Sequence, residues 1–283
     1  MNNKVAIITG ASRGIGRAIA LGLAKNHFNI VIASKSLEST DLLPGSINTV
    51  AKEVESLGVK SLAVKTNVRN EEANENLINK TLEKFGRIDV LINNAGALWW
   101  KDIKKTPVEK YDLINDINSK ASYHLSQLCI PHMEKNSDGG HIIMQSPPLT
   151  NPLNNQLAFS LSNFKGKTAY MISKLGMTMT ALGIAQEFEG KNIAANTLWP
   201  MTPIESYALK NYNLGKPEMW RKTDIIVDSI LKIVEKDPNH FSGNQLIDEL
   251  FLRSEGETDF DKYQCVPGSE PPKMADIQEM WNS

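Results

Sequence analysis

Tyr170 and Lys174, in the stretch AYMISKLGM, stand four residues apart in a segment with helical patterning. A helical turn takes about 3.6 residues, so the two side chains share a face. A phenol beside an ammonium can hand a proton to a reacting oxygen or take one from it. A free tyrosine titrates near a pKa of about 10, and a neighbouring positive charge brings the phenolate closer to working pH. The same spacing also suits an ordinary surface helix, so the pair needs the rest of the chain to give it a role.

The second candidate is the loop TGASRGIG, Thr9 to Gly16, which follows an apolar run at once and leads into the amphipathic RAIALGLAK. Glycines at 10, 14 and 16 suit a tight turn, close backbone approach and close helix packing. Amides at the helix start, including those of Ser12, Arg13 and Ile15, could meet a pyrophosphate. The spacing Gly-x-x-x-Gly-x-Gly departs from the usual Gly-x-Gly-x-x-Gly fingerprint, but its place between a strand and a helix points to a nucleotide. The next strand ends in Ser34 and Lys35, with no acid before Glu38. An acid there binds a ribose 2′-hydroxyl, whereas a 2′-phosphate needs cations, so Arg13 and Lys35 favour NADP over NAD.

These groups must be carried by repeating strands and helices. Short, nearly continuous apolar runs recur: VAIIT (5–9), NIVIA (29–33), SLAVK (61–65), VLINN (90–94), HIIM (141–144), IAANTL (193–198) and QLIDE (245–249). Such runs suit strands buried on both faces, and the alternation with helical segments predicts an α/β, Rossmann-like, doubly wound parallel sheet of about seven strands. A domain over 1–253 is expected, followed by a proline-containing extension or arm over 254–283.

The 283 residues carry 31 Lys plus Arg against 32 Asp plus Glu, a net charge of -1, which gives no electrostatic reason to expect nucleic acid or an anionic membrane. Cys129 and Cys265 have neither metal-ligand nor redox-pair spacing, so no metal site is expected and a reducing compartment is inferred. The start MNNKVAIITG shows no leader pattern, and no long apolar span follows, so a cytoplasmic protein is expected.

With TGASRGIG, NNAG (Asn93 to Gly96), Asn118 and the Tyr170/Lys174 pair in order, the chain resembles the short-chain dehydrogenase/reductase family over about residues 4 to 249. The resemblance implies hydride transfer between a nicotinamide and a carbonyl or alcohol. Tyr170 would be the general acid or base, and Lys174 would lower its pKa and bind the nicotinamide ribose. Asn118 would hold a water leading from Lys174 to solvent. The family places a substrate-orienting serine just after the fifth strand, where this chain has Pro147, with Ser146 one residue early. Proline has neither hydroxyl nor amide hydrogen. Ser146 is therefore the candidate for that role.

Other cofactor contacts implied by the resemblance are Asn67 and Val68 at the adenine, Asn94, Ala95 and Gly96 beside the adenosine ribose and pyrophosphate, and Pro200, Thr202 and Ile204 near the nicotinamide. Met201 replaces the family's glycine. Leu98, Trp99, Trp100, Leu149, Phe159, Met201 and Tyr207 are expected on the substrate side, which suggests a fairly large hydrophobic carbonyl or alcohol. The resemblance also implies a homodimer or homotetramer. Two rival readings are a nucleotide sensor with little turnover, motivated by Pro147, and a lipid-handling protein.

Overall fold

The computed structural model describes residues 3–38, 44–150, 165–211 and 213–273; Phe159 lies outside them. Seven strands form one sheet in the order β3-β2-β1-β4-β5-β6-β7, and every pairing is parallel. They are β1 (Val5–Thr9), β2 (Asn29–Ser34), β3 (Ser61–Lys65), β4 (Val90–Asn93), β5 (Gly140–Met144), β6 (Ile193–Trp199) and β7 (Gln245–Ile247). The Rossmann-like doubly wound sheet expected from the sequence is thus present.

Why the apolar runs are unbroken is visible in the packing. Along β1, Ala6 and Ile8 enter one core cluster while Val5 and Ile7 enter the other; β2 divides Ile30 and Ile32 from Val31 and Ala33 in the same way. Successive side chains of a strand point to opposite faces, and here helices cover both. On the first face lie α1 (Gly14–Lys25) and α2 (Ile47–Glu55), bringing Ile19, Leu23, Ile47 and Val50 to the core. On the second lie α3 (Glu71–Phe85), α4 (Val108–Asn115), α5 (Ala121–Met133) and α6 (Thr168–Glu187). Of these, α3, α5 and α6 fill the second core with Leu77, Leu125, Cys129, Met177 and Ala181. A short α7 (Tyr207–Asn211), then α8 (Asp224–Val234) and α9 (Asp248–Ser254), return the chain to the first face.

The chain runs outward from β1 to β3 and then crosses back to β4. This reversal opens a crevice at the carboxyl ends of β1 and β4, the usual ligand position in such sheets. Two strands end earlier than the sequence suggests, each for a local reason. Asn94 leaves β4 because its amide donates to the Thr9 hydroxyl at 3.0 Å. Asp248 ends β7 and starts α9, its carboxylate accepting the Met201 amide at 2.8 Å.

The boundary expected at 253 does not end the packed body. Phe260 and Tyr263 are buried in the first core cluster, and the Tyr263 hydroxyl donates to Asp228 at 2.7 Å. Aromatic anchors within a polar, proline-containing stretch explain the difference: composition suggested an arm, but two large rings suffice to pin it. Residues 274–283 lie outside the described residues.

Candidate active site

The glycine loop crosses the end of β1. Gly10 and Gly14 have φ of 67° and 55°, values that a side chain disfavours. Gly16 is held by contact instead: a Cβ there would stand 2.5 Å from the Gly10 carbonyl oxygen and 2.6 Å from Asn94 Nδ2. Asn94 closes the loop from the β4 side, donating from Nδ2 to the Thr9 carbonyl at 2.8 Å, while the Ala95 amide donates to the Thr9 hydroxyl at 2.9 Å. Ile15 packs against the first core. The helix-start amides thus follow a turn that leaves no room for a Cβ at Gly16.

Beside this loop, the hydroxyls of Ser12 and Ser34 lie 3.2 Å apart, tying the loop to the end of β2. Arg13 reaches across the turn, its Nη2 donating to the Gly45 carbonyl at 2.9 Å and its Nε to the Pro44 carbonyl at 3.3 Å. Lys35 is exposed next to Ser34. Two cations thus flank the point where β2 ends. At the end of β3, Val68 is buried and Asn67 exposed, the Asn67 Oδ1 accepting the Arg69 amide at 3.4 Å.

Tyr170 sits in the first turn of α6, with Lys174 one turn on. Lys174 is buried and donates to the backbone carbonyl of Gln145 at 2.7 Å. Its ammonium also lies 5.8 Å from the centre of the Trp199 ring, and a Cβ on Gly96 would come within 3.6 Å of it. Burial pushes the Lys174 pKa down to about 8, and burial pushes the Tyr170 phenol up. Both shifts disfavour a charge out of water.

Asn118 lies in a π turn, Asp116–Lys120, between α4 and α5. The extra residue of a π turn swings its side chain off the helical register. Asn118 is fully buried and grips the strand-end segment twice, accepting the Ala97 amide at 2.8 Å and donating to the Ala97 carbonyl at 3.1 Å. Its Nδ2 also donates to Ser173 at 2.8 Å, the residue before Lys174. The structure brings Lys174, Gly96 and Asn118 to one place, with Tyr170 one helical turn before Lys174.

Ser146 is turned elsewhere. It is fully buried, its hydroxyl 2.9 Å from that of Thr178, and Thr178 donates in turn to the Pro147 carbonyl at 2.7 Å. Thr178 stands one turn beyond Lys174 and two beyond Tyr170. Among the described residues no hydrogen bond links Ser146 to Tyr170. The physical reason is the alternation of β5: Ile142 and Met144 face the second core, and Ser146 continues that side towards α6.

Around the site, Ile204 and Thr202 are buried and Pro200 half-buried. The Met201 amide is fixed by Asp248, whose carboxyl burial raises to a pKa of about 7 against two backbone N–H donors. Leu149 is pinned to β7, its amide donating to the Gln245 side-chain oxygen at 2.5 Å. Tyr207 begins α7 and Leu98 and Trp99 are half-buried.

Some site residues were not legible as such in the sequence. Gln145 acts through its backbone, which no motif encodes. Ser173 and Thr178 are ordinary helix residues until α6 docks on its neighbours. The Trp100 ring, expected on the substrate side, meets that of Tyr170 edge-on at a centroid distance of 6.4 Å.

Two observations are compatible with a bound ligand in the crevice. The glycine cradle has no room for a Cβ at Gly16. The buried Thr202 hydroxyl and the Gln145 side-chain amide lack hydrogen-bond partners among the described residues, and buried polar groups ordinarily have them.

Comparison with known proteins gives the chain's family and fold neighbours. Residues 4–213 match the short chain dehydrogenase family. The chain is 44% identical over 263 residues to hydroxysteroid dehydrogenase-like protein 2 of Bos taurus, and 43% identical over 265 residues to that of Homo sapiens. Each match covers 92% of this chain but 60% of the relative, so the chain spans about three fifths of their length. A short chain dehydrogenase of Mycobacterium thermoresistibile superposes with a TM-score of 0.86 at 37% identity, covering 96% of this chain and 94% of that one. A metagenomic short-chain oxidoreductase solved in complex with NADP shares the fold, with a TM-score of 0.67 at 24% identity over 86% of this chain and 96% of its own.

Proposed function

Because the chain belongs to the short-chain dehydrogenase/reductase family, we propose that it is an NADP-dependent oxidoreductase acting on a carbonyl or alcohol of a hydrophobic substrate. The single observation that supports this reading is the meeting of Lys174, Gly96 and Asn118 at the sheet's carboxyl end, one helical turn from Tyr170. The bound cofactor would supply or accept the hydride. Gly10, Gly14, Gly16 and Asn94 would form its pyrophosphate cradle, and Arg13 and Lys35 would face a 2′-phosphate.

The chain's own part is proton delivery. In reduction, Tyr170 gives its phenolic proton to the developing alkoxide. Its raised pKa keeps that proton in place at neutral pH. Lys174, held by the Gln145 carbonyl, keeps its charge near the phenol and stabilises the phenolate left behind. Asn118 fixes the segment from Ala97 to Ser173 around which a solvent path to Lys174 would run.

A second reading follows from the serine position. With Pro147 there and Ser146 bound to Thr178, the site has one hydroxyl fewer to polarise a carbonyl, which favours a cofactor-binding sensor with little turnover. Titration with NADPH and NADH, followed by assay against medium and long-chain aldehydes and ketones, separates the two. The oxidoreductase reading expects tighter NADPH binding and turnover lost in Tyr170→Phe; tight binding with no turnover of any carbonyl supports the sensor.

A further inference from the structure

Lys167, three residues before Tyr170, places its ammonium 5.3 Å from the centre of the Trp100 ring, and that ring stands edge-on to Tyr170. Trp100 therefore touches both a cation and the proposed acid. The neighbouring Trp99 is dressed the same way, with Lys110 Nζ 5.2 Å from its ring centre.

Lys167 is half-buried, and among the described residues it has no counter-charge. Nor can the segment joining β5 to α6 provide one, because residues 139–186 contain no Asp or Glu, although they contain Lys165, Lys167 and Lys174. Acids make up 32 of 283 residues, so several would be expected in a stretch of that length. The nearest acid on the Trp100 loop, Asp102, is engaged with Lys105 at 3.5 Å. Loss of water lowers the Lys167 pKa to about 8.

A cation taken partly out of water beside an apolar ring is costly unless an anion completes it. Its face-on contact with an indole recovers part of that cost, and a carboxylate or phosphate would recover more through a charge-assisted hydrogen bond. The apolar surface for the rest of such a ligand is close by in Trp99, Trp100 and Leu98.

We propose that Lys167, seated on Trp100, is a specificity-determining residue that selects substrates bearing an anionic group at the end of an apolar chain. This deepens the oxidoreductase reading and rests on it for the word substrate. The anion would sit beyond Trp100 while the reacting carbonyl faces Tyr170, so the indole spaces the two ends of the ligand.

The test has one arm that needs no turnover. Calorimetric titration of octanoate and of 1-octanol into the full chain is expected to show octanoate binding at least about tenfold more tightly. Lys167→Met, which keeps the apolar stem on Trp100, abolishes that preference, and Lys167→Arg retains it. The second arm compares NADPH oxidation with 8-oxooctanoate and with its methyl ester. The wild type prefers the acid in kcat/KM, and Lys167→Met lowers the acid-to-ester ratio by about tenfold, chiefly through KM. Equal binding of octanoate and octanol, or an unchanged preference in Lys167→Met, overturns the proposal even if neutral aldehydes are reduced. Selective octanoate binding with no turnover of any carbonyl upholds the anion site and overturns the oxidoreductase reading instead.

Discussion

Lys174 donates to the main-chain carbonyl of Gln145 at 2.7 Å, so its ammonium is held by backbone and not by a carboxylate. A neutral acceptor fixes its position without cancelling its charge. That ammonium stands one turn along α6 from Tyr170, whose phenol pKa is pushed up by burial.

Tyr170→Phe removes the transferable proton and little else, since the ring still packs against Trp100. Its kcat should fall about 10²- to 10⁴-fold, the usual range for a lost general acid. NADPH binding should stay within about threefold of wild type by fluorescence titration. Retained turnover would remove Tyr170 from the chemistry.

Lys174 gives the fold a pH dependence. Its pKa is about 8 in the fold and higher in the unfolded chain, so its contribution to stability is fully present only above the unfolded value and is lost as pH falls through 8. Lys174→Met should therefore melt about 2–4 °C higher than wild type at pH 7, by calorimetry, while turnover collapses. In the wild type, reductive kcat/KM should decline as pH rises above about 8, as the ammonium discharges. A profile flat to pH 10 would contradict this account of the pair.

Ser146→Ala should cost the fold about 1 kcal/mol, because the hydroxyl's partner is Thr178, which keeps its bond to the Pro147 carbonyl. The kcat/KM for any carbonyl reduced should change less than about threefold. Loss of most turnover would instead restore Ser146 to the substrate-orienting role that its sequence position suggested.

At Gly16 the obstacle is main chain as well as side chain: a Cβ would come 2.5 Å from the Gly10 oxygen and 2.9 Å from Ala11 Cα. Gly16→Ala is expected to lose about 1–3 kcal/mol in urea unfolding, and NADPH affinity with it. Wild-type stability and affinity together would mean that the loop shifts freely, against the tight packing described.

Asp248 carries the opposite pH dependence. Burial raises its pKa to about 7, so its contribution is fully present below the unfolded carboxyl value and is lost as pH rises through 7. Asp248→Asn keeps an oxygen for the Met201 and Glu249 amides but cannot ionise. Its stability relative to wild type should therefore climb between about pH 4 and pH 8 in urea unfolding. Parallel curves would show that Asp248 stays ionised throughout.

The sequence by itself determined the sheet, its two-sided burial and the places of the glycine loop and the Tyr170/Lys174 pair. Strand runs such as VAIIT are continuous because both faces are covered, and i, i+4 spacing is fixed by the helix itself. Contacts between distant segments were decided only in the tertiary structure. The docking of α6 on β5 gave Lys174 its Gln145 carbonyl and turned Ser146 towards Thr178, whereas the motif alignment had placed Ser146 by its distance along the chain. The seating of Phe260 and Tyr263 folded back a stretch whose composition read as an arm. Local pattern reports which backbone state and which face a residue takes, while the partner on that face is chosen by elements far away in the chain, and so by the packing of the whole.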